Sequence, residues 1–140
     1  MPPRNLKSRI DASARLLLDF LERNKGDDRF DYPHSFSYPK NCCESVSLIL
    51  TYLVEEKYGL DNVRIIKGTK RGTAEHHFWV MVGSWNYDLT AHQFRRRKPI
   101  IGALADELFL TFEDWEIEQT RDFVNRNKVV ALYQAGAIPF

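Results

Sequence analysis

A chain of 140 residues with 44% hydrophobic and 28% charged side chains fits one globular domain, since single domains most often span about 100–150 residues. Twenty Lys and Arg against nineteen Asp and Glu leave a formal charge of +1, which argues against the strongly basic face of a nucleic-acid binder, so no nucleic acid is expected as a partner. No apolar run reaches the ~18 residues of a spanning helix, because the most apolar stretches, near Leu16–Leu21 and Val46–Val54, are interrupted by polar residues.

Met1 to Lys7 are not followed by the apolar stretch and small-residue cleavage site of a signal peptide, so a cytoplasmic location is expected. From Leu6 to about Asn24, Leu6, Ile10, Leu17, Phe20 and Leu21 recur mostly at three- and four-residue steps. Gly26 follows, which predicts an amphipathic helix with a C-terminal stop. Residues 27–41 hold two prolines and four aromatics and predict an ordered, non-helical loop pinned by its rings. A second helix is expected to start at Asn41 to Cys43, with Asn as a good N-cap, and to run to Gly59. Its Val46, Leu48, Ile49, Leu50, Leu53 and Val54 are spread over more than one side, as in a centrally buried helix.

Beyond Gly59 the texture is that of strands. Asn62–Lys67 reads as a short strand, Gly68–Glu75 as a polar loop and His77–Val82 as a strong strand. Trp85–Leu89 pairs back across a turn at Gly83-Ser84. The tetrad Arg95–Lys98 reads as a solvated loop, and Ile100–Leu110 and Phe112–Ile117 give weaker strand or turn signals. A last helix is expected from about Gln119 to Gln134 on Phe123, Val124, Val129, Val130, Leu132 and Tyr133. The fold class is therefore α+β, a Cys-bearing helix packed on an antiparallel sheet, with flanking helices at both ends.

The only two cysteines, Cys42 and Cys43, are adjacent. Neighbours in sequence can form only a strained vicinal disulfide, so free thiols in a reducing compartment are expected. Adjacent ligands also fit poorly on two corners of a tetrahedral zinc site, so no metal or cofactor is expected. A Cys at a helix N-terminus, then a His on one strand and an Asp on the next, is the order of a thiol nucleophile, its base and the group that orients the base. The helix N-terminus favours the thiolate, and either Cys42 or Cys43 stands where that help is available. A two-residue turn at Gly83-Ser84 sets Val82 opposite Trp85 and Trp79 opposite Asp88. His77 and Asp88 then lie diagonally on one face, about 7–8 Å apart along the backbone. Strand alternation puts His76 on the other face with Phe78 and Val80, so His77 is the candidate.

Tyr38-Pro-Lys-Asn-Cys-Cys-Glu-Ser-Val-Ser, His77-Phe-Trp-Val-Met-Val and Tyr87-Asp-Leu-Thr-Ala-His-Gln-Phe resemble the Cys, His and Asp motifs of the papain-like, transglutaminase-like cysteine hydrolases. More narrowly, they are similar to a group of small bacterial proteins. The resemblance covers about Tyr38 to Phe94. It implies a single papain-like domain over residues 1–140 with Cys43 as nucleophile, because the family's small residue four positions on matches Ser47. It also implies His77 as base and then acid, and Asp88 as orienter. Gln93 matches the family's Gln and, with Asn41 and Trp79, is a candidate for support of the site; the family's Gly before the cysteine is absent. The implied activity is hydrolysis of a peptide-like amide through a thioester, with acyl transfer to an amine or a non-catalytic binding module as alternatives. A protein or peptide substrate is the implied partner. If the chain is a toxin or effector, delivery without a signal peptide and an inhibitor or immunity protein are implied as well.

Overall fold

The computed structural model describes residues 4–140. Its architecture is α+β: helices α1 (Arg4–Arg23), α2 (Cys43–Tyr58), α3 (Glu107–Leu110) and α4 (Arg126–Gln134) surround strands β1 (Val63–Thr69), β2 (His76–Val82), β3 (Trp85–Asp88), β4 (Ile100–Ala103) and β5 (Asp114–Glu118). The strands form one antiparallel sheet in the order β4-β3-β2-β1-β5, so β2, in the middle, is paired on both edges.

Helix α1 follows its apolar spacing, with Ile10, Ala14, Leu17 and Leu21 fully buried. Helix α2 is buried along most of its length, as its many-sided apolar pattern requires. It stops at Gly59, which takes up φ 62° and donates its N–H to the Glu55 carbonyl. The expected Asn41 cap is corrected: Cys42 is the N-cap residue, without a side-chain bond, and the helix begins at Cys43. Asn41 sits at φ 62°, a left-handed conformation that Asn tolerates, and turns the chain into the helix instead of capping it.

Both faces of the sheet are covered. On one, Val63, Val80, Val82, Tyr87 and Leu89 pack against α1 and α2, while Ile65 and Phe78 pack against Leu48. On the other, Ile66, Trp79 and Ile100 pack against Ala91, Leu108, Phe109 and Phe112. The turn at Gly83-Ser84 has two residues, as predicted, and pairs Val82 with Trp85. Gly83 is at φ 58° in its first position, where a type II′ turn places glycine.

Three expected boundaries are corrected. β1 runs on through Gly68, expected in a loop, because Gly68 pairs with His77 on one side and Trp115 on the other; a side chain there would meet Phe112 Cβ at 2.7 Å and Trp79 Cζ3 at 2.8 Å. This glycine serves close packing within a strand. Ile100–Leu110 divides into β4 and the short α3, whose start is fixed by Asp106 accepting the Leu108 N–H at 2.8 Å. The last helix begins at Arg126, not near Gln119. Before it the Arg121 guanidinium donates to the Val63 carbonyl at 2.9 Å and Phe123 packs beside α2, contacts that hold 121–125 out of the helix.

Candidate active site

Hairpin parity brings His77 and Asp88 together. His77 is the second residue of β2 and Asp88 the last of β3, and His77 Nε2 lies 2.6 Å from Asp88 Oδ2 with both side chains only 1% exposed. The other carboxylate oxygen, Oδ1, accepts the Thr90 backbone N–H at 3.0 Å and the Thr90 hydroxyl at 3.2 Å. An ionised carboxylate can only accept, so Nε2 carries the hydrogen of the pair.

That assignment leaves Nδ1 as the nitrogen able to accept a proton. It is buried and has no hydrogen-bond partner among the described residues, an uncommon state for an interior polar atom. Burial is the strongest influence on His77 and opposes its charge. The Asp88 carboxylate, through its charge and its hydrogen bond, and then Cys43 outweigh it, and the ring is pushed up to about 9. The Cys43 thiol raises the ring's proton affinity without a hydrogen bond of ordinary geometry to Nδ1.

The ring is held in an aromatic box. Phe94 meets it edge-on at 4.9 Å between centroids, Phe112 stacks on it at 5.4 Å, and Trp79 lies tilted at 5.9 Å. Trp79 is fixed in turn by its indole N–H, which donates to Asn86 Oδ1 at 3.1 Å, and by Phe109 stacked on it at 4.2 Å. These apolar walls restrict water on three sides of the imidazole and set its orientation.

The two cysteines part company. Cys42 is 1% exposed and packs in the core shared by α1, α2 and Tyr38. Burial, with Cys43 next door, pushes its thiol up to about 12, which leaves it protonated and inert at neutral pH. Cys43, the first residue of α2, is partly exposed and packs beside Leu48, Phe78 and Phe123. The accessible thiol and the unpartnered ring nitrogen therefore belong to the same small region, with the Asp88 carboxylate behind the ring.

The three support candidates fall in different places. Trp79 touches the imidazole directly. Gln93 acts two steps away, its side-chain N–H donating at 3.4 Å to the Thr90 hydroxyl that holds Asp88. Asn41 is exposed and lines a cleft beside the first turn of α2. His76 is exposed and bonds Thr69 at 2.9 Å, and His92 bonds Glu22 at 2.9 Å, so neither joins the group. No three His, Cys, Asp or Glu side chains converge in a metal-binding arrangement among the described residues. Thr90 and Phe94 lie inside the third motif but received no role from sequence. Phe112 carried no signal, since its contact with His77 joins distant parts of the chain. Comparisons with family models, with curated proteins and with solved structures return no match.

Proposed function

We propose that this chain is a cysteine hydrolase of the papain-like, transglutaminase-like kind that cleaves a peptide-like amide. The observation that carries the reading is the buried His77–Asp88 pair, whose second ring nitrogen lacks a partner while the Cys43 thiol acts on the same ring. His92 also has a buried Nδ1 without a partner, so what sets His77 apart is the combination of that free nitrogen with the buried Asp88 partner and the neighbouring Cys43.

In the proposed reaction, Nδ1 of His77 takes the Cys43 proton and the thiolate attacks the substrate carbonyl carbon. The carbonyl oxygen becomes an oxyanion facing the Cys43 backbone N–H, one of the unpaired donors of a helix first turn. The C–N bond breaks, and His77 returns the proton to the departing amine. Water, deprotonated by His77, then cleaves the thioester and restores the thiol. Asp88 keeps Nε2 protonated throughout, so that Nδ1 always faces the chemistry.

Iodoacetamide labelling followed by peptide mapping tests the nucleophile. Cys43 is expected to react at pH 6–7 faster than a free thiol and to fall to ordinary reactivity in His77→Ala. Equal reactivity of the two proteins would remove the reading. A screen of peptide, cell-wall and glutamine-containing substrates, with and without an added amine and with Cys43→Ala as control, identifies the amide and tells hydrolysis from transamidation.

A further inference from the structure

We propose that the cleft beside the first turn of α2 selects a substrate whose residue at the attacked carbonyl is Lys or Arg. The inference rests on Cys43 as nucleophile and names the substrate class of that site. The cleft, of about 420 Å³, lies between the Pro33-His34 loop, the start of α2 and residues 122–124. Cys43 does not itself line it, but the two adjoin on two counts. Asn41, Glu44 and Ser45, on either side of Cys43 in sequence, line it. Its apolar lining residues Leu48 and Phe123 belong to the packed group that includes Cys43, so Phe123 and Val124 offer apolar surface a short way from the thiol.

Charge then decides what that side chain is. Glu44 and Asp122 line the cleft and are exposed, and among the described residues neither has an ion-pair partner. No Lys or Arg lines the cleft, and Arg121 nearby is engaged with the Val63 carbonyl and with Glu55. Two carboxylates without an ion-pair partner, Asp122 accepting only the Phe123 N–H at 3.0 Å and Glu44 standing in the first turn of α2, match the build of a Lys or Arg side chain, which lays its methylene stem on apolar surface and carries its charge at the tip. An acidic side chain there would meet like charge, and an aliphatic one would leave both carboxylates unused.

The test uses three peptidyl chloromethyl ketones, identical except for Lys, Leu or Glu at the ketone-bearing residue. Each alkylates a thiolate, forming a C–S bond as chloride leaves. Rates of Cys43 modification are read by mass spectrometry and divided by the iodoacetamide rate of the same protein. The Lys probe is expected to react about three- to tenfold faster than the Glu probe, the scale of two exposed charge contacts. The ratio is expected to shrink with added salt and to approach one in Glu44→Gln/Asp122→Asn. Equal rates for the three probes, or a ratio unchanged in the double variant, overturn the cleft's role; a His77-dependent iodoacetamide reaction alongside leaves Cys43 as nucleophile intact. An iodoacetamide rate no greater than that of a free thiol overturns both.

Discussion

Asp88→Asn removes one charge from the interior with almost no change of shape, and its main effect is expected at His77. Burial alone would hold the ring below its ordinary value of 6.5, yet the carboxylate and the Cys43 thiol push it up to about 9. That rise corresponds to roughly 3 kcal/mol in favour of the charged ring, at about 1.36 kcal/mol per tenfold change in proton affinity. Without the carboxylate the titration midpoint is expected to fall below 6.5. The introduced amide N–H also faces Nε2, so Nε2 turns acceptor and the neutral ring carries its proton on Nδ1, where it blocks proton abstraction from Cys43. The stability change has a definite sign. In the native protein the folded state holds the proton more tightly, so this contribution is fully present below pH 6.5 and is lost as pH rises through 9. Carbon-13 NMR of the four histidine Cε1 signals, with His77→Gln to assign its resonance, reads the midpoints. Urea midpoints of both proteins from about pH 6 to about pH 9.5, spanning the titration, read the linkage. A native His77 midpoint at or below 6.5, or the same midpoint in both proteins, would refute the reasoning.

Two further substitutions test the packing around the site. Gly68→Ala puts a methyl group at 2.7 Å from Phe112 Cβ and 2.8 Å from Trp79 Cζ3, and is expected to cost about 1–3 kcal/mol by overpacking. An unchanged urea midpoint would show that the two rings yield freely. Cys42→Ala is expected to lose about 1–2 kcal/mol for a small cavity while iodoacetamide at pH 7 still labels Cys43 at the native rate, and peptide mapping that finds Cys42 labelled as readily as Cys43 in the folded native protein counts against the assignment.

The parts of the molecule governed by local periodicity were readable from the sequence. Helix α1, the many-sided α2, the hairpin register and the pairing of His77 with Asp88 all follow from spacing and a two-residue turn. What escaped depends on contacts between distant residues. Gly68 looks like loop punctuation until Trp79 and Phe112 are seen pressed against it. Phe112 looks like one more apolar residue until it stacks on His77. The resemblance picks Cys43 over Cys42, but its physical ground lay outside the sequence: both stand at the start of a helix, and only the packed structure turns one into the core and leaves the other accessible. Residues 119–125 have helix-like apolar spacing, but Arg121 and Phe123 are engaged elsewhere.

The burial of β2 on both faces bears on how errors in folding are registered. Most half-solvated strands slip by one residue at the cost of exposing apolar side chains on one side. In β2 such a slip would exchange His77 with Phe78 and Trp79 with Val80, driving an imidazole into the aliphatic layer under α2 and an indole out of its place beside Phe109. Neither layer has a vacancy for the other's side chains. A chain that closes the sheet in the wrong register therefore loses its packing and its His77–Asp88 pair in the same event.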